Sequence, residues 1–160
     1  MHSPIETFLR KTIYFWALAG GGMLGAIVVV NVWTVLGGFI GLPFAGDFEL
    51  TEMGVAIAAF MFLPYCQLAD QNVTADIFTS KLSAAVQRRF SAIASVLALA
   101  FAALLLWRMY LGMLDQKSYS LATTILQIPV WWAYLPALAS LALLFIAAGL
   151  SLRDNWTGRA

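Results

Sequence analysis

TIYFWALAGGGMLGAIVVVNVWTVLGGFIGLPFAG, residues 12–46, carries no charged side chain from end to end. A helix needs roughly 20 residues to cross about 30 Å of hydrocarbon, so this stretch can cross and still leave a loop. Three more charge-free stretches follow: Met53–Ala69, Phe90–Trp107 and Ser118–Leu152. The last resembles the first in length. The middle two are near the lower limit and must borrow polar residues at their ends, whose long side chains snorkel to the interface. The pattern predicts an all-α integral membrane protein. Four transmembrane helices, near Tyr14–Phe39, Met53–Ala69, Phe90–Met109 and Val130–Ser151, form a single domain over residues 1–160. The chain is 62% hydrophobic and 11% charged, whereas soluble domains are about a quarter charged, so a soluble fold could not hide this apolar surface. No cleaved signal peptide is expected, because the first apolar stretch is too long and no A-x-A-like site follows within reach.

The basic residues set the sidedness. With a cytoplasmic N-terminus, Arg10, Lys11, Lys81, Arg88, Arg89, Arg153 and Arg159 lie inside, and Arg108 and Lys117 outside. Both termini are therefore expected on the cytoplasmic side. Asp47, Glu49 and Glu52 cluster in the first outer loop, read as Leu42–Glu52. The net charge of +1 conceals this asymmetry.

Several chemistries are excluded by what the chain lacks. Cys66 is the only cysteine and His2 the only histidine, so no intramolecular disulfide, thiolate metal cage or bis-histidine haem can form. No phosphate-binding Walker motif occurs. Asn72-Val73-Thr74 fits the glycosylation sequon but falls on the cytoplasmic side. The basic clusters are too small and too close to the membrane for a nucleic-acid partner.

The N-terminal segment opens on Ser3-Pro4-Ile5-Glu6, a capping-box pattern. Ile5, Phe8, Leu9, Thr12 and Ile13 then share a face. The segment fits either a short amphipathic helix on the inner surface or a capped extension of span one. A second amphipathic surface helix is expected at Thr79–Phe90, between spans two and three. There Leu82, Ala85, Val86 and Phe90 share a face and Lys81, Arg88 and Arg89 flank it, an arrangement suited to anionic headgroups. In span one, Gly21 and Gly25 permit close helix approach, on a partner or within the chain. Gly37 and Gly41 with Pro43 mark its end. Asn31, the main polar residue of span one, is expected to bond between helices. Pro64 should kink span two and Pro136 span four. Cys66 is expected to be an inert packing residue. Asp47, Glu49 and Glu52 either complement the positive end of the span-two helix dipole or form a docking surface. Trp107, Trp131, Trp132, Tyr134 and Trp156 sit at predicted interfaces, as aromatic anchors do. Arg88 and Arg89 are read as anchors beside them.

The outline resembles the small membrane subunit, the DctQ-type or Q subunit, of tripartite ATP-independent periplasmic (TRAP) transporters. Three local patterns carry the resemblance: Phe48-Glu49-Leu50-Thr51-Glu52-Met53 opening span two, Asn72-Val73-Thr74-Ala75-Asp76-Ile77-Phe78 after it, and Leu126-Gln127-Ile128-Pro129-Val130-Trp131-Trp132-Ala133-Tyr134-Leu135-Pro136 entering span four. The last is the most specific. The chain departs from the family at Thr34–Gly38, where an arginine is common, and at Ala69–Asn72, where a basic, glycine-containing turn is common. Family contacts at those two places are not carried over. The resemblance implies that a periplasmic binding protein delivers a carboxylate-bearing solute to a large multi-span M subunit coupled to sodium. This chain would scaffold that subunit in the bacterial inner membrane, among membrane lipids. Sodium and substrate would then sit on the M subunit, with no cofactor, metal or catalytic residue here. Gly21, Gly25, Asp47, Glu49 and Glu52 become candidate contacts to the M subunit or the binding protein. Other readings are the small subunit of a tripartite tricarboxylate transporter, a membrane enzyme or electron carrier, and a small proton-coupled exporter with Glu52 as its coupling acid.

Overall fold

The computed structural model describes residues 4–69 and 84–157. They form four helices: α1 (Pro4–Phe39), α2 (Asp47–Leu68), α3 (Ala84–Ser118) and α4 (Trp131–Thr157). Each contains a segment long and apolar enough to cross a membrane. Helices are the natural outcome, because backbone polar groups in hydrocarbon must be satisfied within their own segment. Among the described residues the only extended pairing is an isolated bridge between Ala122 and Pro129.

Several helices run beyond the spans read from the sequence, α4 among them, which ends at Thr157 rather than Ser151. Of the two N-terminal readings, the separate surface helix gives way to the capped extension of span one: Pro4 to Phe39 is one uninterrupted helix and the amphipathic stretch forms its first turns. Helix α2 begins at Asp47 rather than Met53. Asp47 and Glu49 fall in its first turn, where acids complement the helix dipole instead of marking a loop. Helix α3 continues past Met109 to Ser118, so Gly112 to Ser118 is helix, with Lys117 favourably placed in the last turn. Of the expected surface helix at Thr79–Phe90, Ala84 to Phe90 belongs to α3 and the rest lies outside the described residues. Also outside them are the Asn72–Phe78 match and the side chains of Arg88, Arg89 and Trp156.

The helices pack in the order α1, α2, α4, α3. Helix α1 lies on α2, α2 on α4 and α4 on α3, and among the described residues α1 and α3 form no packed interface. This is an open row rather than a closed bundle. Only 11% to 28% of the residues in each spanning window are fully buried by the chain itself, and α1 and α3, at the ends of the row, are the most exposed.

Small residues make the row possible, since apolar burial drives little helix association inside lipid and close packing must do so. On α1 the buried positions Ile13, Ala17 and Gly20 recur at helical spacing. Gly20 meets Ala58 and Met61 on α2, and Gly54 of α2 meets Ile27 and Met23 of α1. A Cβ placed on Gly20 would stand 3.0 Å from the Met61 Cβ and 3.6 Å from the Ala58 carbonyl oxygen. Asn31 adds the expected interhelical bond, its Nδ2 donating to Thr51 Oγ1 at 2.8 Å, while Thr51 Oγ1 donates to the Asp47 carbonyl at 2.7 Å. Helices α3 and α4 are antiparallel: Gly112 faces the Tyr134 ring and Gly149 faces Leu99. Both expected kink sites, Pro64 and Pro136, lie inside helices that continue past them.

Helix α1 also reaches α4 through two long side chains. Trp16 Nε1 donates to Ser140 Oγ at 2.9 Å, and Ser140 Oγ donates to the Pro136 carbonyl at 2.8 Å. Closer to the N-terminus of α1, Glu6 is buried and pairs at 3.6 Å with Arg153 near the C-terminus of α4.

Replacing Gly20 with leucine should force α1 away from α2 and destabilise the chain by about 1–3 kcal/mol, the usual cost of overpacking. Gly21→Leu should be neutral or slightly stabilising, because its Cβ meets nothing within 4 Å and leucine favours helix by about 1 kcal/mol over glycine. Thermal unfolding of the purified chain in detergent compares the two.

Candidate partner interface

At the non-cytoplasmic end predicted by the charge pattern, the loop between α3 and α4 is folded on itself. The Thr123 N–H donates to the Ile128 carbonyl and the Val130 N–H to the Leu121 carbonyl, both at 3.0 Å. Ile128 N–H also donates to Thr123 Oγ1 at 3.1 Å. The turn between these pairs needs a left-handed residue, supplied by Gln127 at φ 54°. Its tip consequently presents two consecutive N–H groups in one direction.

Glu49 receives both. Its Oε1 accepts from Ile125 N–H at 2.7 Å and its Oε2 from Leu126 N–H at 2.9 Å. Successive backbone N–H groups of a turn make a concave anion seat, and here the anion comes from the first turn of α2. The same loop presses Leu126 against Gly46, the residue that caps α2. Gly46 adopts φ 106°, and a Cβ there would meet the Leu126 side chain at 2.5 Å. Only glycine satisfies both conditions. Glu49 and Gly46 together fasten the outer loop onto α2.

The three acids therefore differ. Glu49 is half-buried and engaged by its own chain, whereas Glu52 is exposed and Asp47 partly so. Sequence reasoning grouped the three because all lie near one helix start. Glu49's partners are 76 and 77 residues away and leave no local signal. Similarly, Glu6 reads as a capping-box residue, yet in the structure it pairs with Arg153 across the row.

Gly21 and Gly25 lie on the open edge of α1. A Cβ on either meets nothing within 4 Å, so neither serves packing within this chain. Exposed Val28, Val29, Val32 and Leu36 continue that side of the helix. Of the aromatic anchors, Trp107 and Trp132 are exposed. Trp131 stacks edge-on against Trp132 and lies 5.2 Å below the Lys117 ammonium, and Tyr134 is partly covered. Cys66 is half-buried and free.

A cavity of about 340 Å³ opens between α1, α2 and the start of α4, lined by Met23, Ile27, Val30, Met53, Ile57 and Trp132 among others. Thr51 is its only side chain with a hydroxyl, and no charged side chain lines it. Among the described residues no three His, Cys, Asp or Glu side chains gather into a metal-binding group. The arrangement offers packing surfaces and a braced loop, not an acid–base pair.

Glu49→Gln should loosen the outer loop, because one accepting oxygen becomes an amide that confronts an N–H donor. Hydrogen exchange read by mass spectrometry should show the Ile125 and Leu126 amides exchanging several-fold faster. Exchange in Glu52→Gln should match the parent chain.

Neither a curated protein nor a solved structure matches the chain. A family model does, described as the DctQ component of tripartite ATP-independent periplasmic transporters, and it covers residues 27–158. That span takes in all of α2, α3 and α4, the α3–α4 loop with its Glu49 seat, and the C-terminal part of α1. Four membrane-crossing helices, an apolar interior and a family match over most of its length place this chain in the DctQ component family of TRAP transporters.

Proposed function

We propose that the chain is the non-catalytic small permease subunit of a sodium-coupled TRAP transporter. In this reading it braces the large M subunit in the bacterial inner membrane, with both termini cytoplasmic, and residues 1–160 act as one domain. A periplasmic binding protein delivers a carboxylate-bearing solute, and the M subunit holds the substrate and sodium. The small subunit needs no cofactor or catalytic residue of its own. The observation that carries this is the open row: the four spans pack mainly through neighbours, α1 and α3 do not close onto each other, and few span residues are fully buried within the chain. A carrier acting alone needs polar groups around a midplane cavity. Here the cavity between the helices is apolar, and Asn31 is spent on Thr51 and the Ile27 carbonyl.

The edge of α1 suits the M-subunit contact. Gly21 and Gly25 are open, and small residues allow another helix to approach closely. Asp47 and Glu52 remain available on the outer side for the binding protein. The family match sets aside the tricarboxylate-transporter reading, and no specific observation favours an enzyme, an electron carrier or a Glu52-driven exporter.

Uptake in proteoliposomes decides the main point. With binding protein, a sodium gradient and the large subunit, uptake should require this chain, and the chain alone should transport nothing. Transport by this chain alone would overturn the scaffold role. The double variant Gly21→Leu/Gly25→Leu should co-purify several-fold less large subunit while keeping its own thermal midpoint. Full recovery would move the contact to another face.

A further inference from the structure

Arg108 is an exposed cation on α3 at the level of a membrane span. Among the described residues it has no ion-pair or hydrogen-bond partner. The other basic residue at that end, Lys117, stacks on Trp131. The α3–α4 register gives Arg108 its depth. Gly112 faces the Tyr134 ring, so Arg108, four residues further in, lies about 6 Å inward of that contact. Exposed Trp107 and Tyr110 flank it, the aromatic setting of a headgroup boundary. A cation at this depth costs free energy unless it meets an anion or snorkels to one.

Directly inward of Arg108, the outward side of α3 holds a shallow groove lined by Leu97, Ala98, Ala100, Phe101 and Leu104. Leu97, Phe101 and Leu104 are exposed, and the two alanines form the low part of the surface. From Arg108 to Leu97 the helix runs about 16 Å, close to the roughly 15 Å depth of one leaflet's hydrocarbon. An anion-seeking head and an apolar groove, which together span about one leaflet, are thus aligned on one helix edge.

We infer that this edge of α3 is a phospholipid site, with the lipid phosphate on the Arg108 guanidinium and one acyl chain along the Leu97–Leu104 groove. Guanidinium suits the site because its planar donors can bind two phosphate oxygens at once. The two edges of the row then differ in kind. The α1 edge is smooth and small for a helix, while the α3 edge carries a charge placed for lipid. The inference requires only that the chain cross a membrane. Its orientation decides which leaflet supplies the lipid, not whether the site binds one.

The test uses the full-length chain in nanodiscs of phosphatidylglycerol, transferred to mild detergent, with retained lipid counted by native mass spectrometry. The parent chain should retain phosphatidylglycerol about tenfold better than Arg108→Gln, the scale of one lost charge-assisted hydrogen bond. Arg108→Lys should recover part of the difference. Ala100→Phe, which fills the groove but keeps the cation, should also lower retention. Diacylglycerol with the same acyl chains, lacking the phosphate, should be held no better by the parent than by Arg108→Gln. Equal phosphatidylglycerol retention by parent and Arg108→Gln would overturn the site, as would equal retention of diacylglycerol and phosphatidylglycerol. So would displacement of the lipid by the large subunit with position 108 cross-linking to one of its acids, which would make Arg108 a protein contact. Thiol labelling of Ser120→Cys in a Cys66→Ala chain with an impermeant reagent reports the orientation separately.

Discussion

Gly20 brings the α1 backbone so close to α2 that a Cβ there would crowd the Met61 side chain at its root. The rest of the architecture depends on that kind of approach. Lipid tails are as apolar as leucine, so burying leucine between helices gains little in a bilayer. What remains is contact at short range and a few polar bonds. The chain spends both sparingly: small residues along the α1–α2 seam, Asn31 to Thr51, Trp16 to Ser140, and Glu6 to Arg153. Each joins neighbours or reaches one helix further, and none closes α1 onto α3. An open row follows from seams placed in that order.

The row's outer end is held by a different device. Aqueous loops are usually the least constrained part of a membrane protein, yet this one carries its own backbone pairs and delivers two N–H groups to Glu49. The loop joins α3 to α4, whereas Glu49 belongs to α2. Fastening it therefore fixes the relative height of three helices at one side of the membrane. On the opposite side, Ser151 Oγ lies 3.4 Å from the Gln67 carbonyl and again ties α4 to α2. Helix α4 is thereby held to α2 at both ends and carries α3 with it.

Much of this was legible in the sequence, for reasons that separate what was read well from what was not. Charge-free length identified four spans, because the cost of charge in hydrocarbon leaves a one-dimensional trace. The same logic misplaced helix ends. Asp47, Glu49 and Lys117 are charged, so they read as lying beyond the spans, although charge leaves the membrane without leaving the helix. The end of α1 was read correctly because Gly37, Gly41 and Pro43 act locally; Gly41 adopts φ 75° just past the last turn. Gly21 and Gly25 were equally visible, but which way they faced was not. The buried glycine proved to be their neighbour Gly20, and only the position of α2 distinguishes them. Pairings such as Glu49 with the loop and Glu6 with Arg153 join residues far apart in the chain, and a single sequence carries no mark of them.

In the proposed scaffold role, what counts is what the outward surfaces can accept, and the two ends of this row offer different surfaces. Along α1 the outward side has glycines near the middle and valines beyond them, shaped for a helix and carrying no fixed charge at span depth. Along α3 it has an apolar groove headed by Arg108. A partner that covered both ends would have to encircle the row. A partner on α1 alone leaves α3 to the bilayer, where the guanidinium must find an anion. The position of one arginine thus bears on which edge of the subunit faces protein and which faces lipid. Because the helices are fastened together at both membrane surfaces, lipid held at one edge would help set the depth at which the other edge meets its partner.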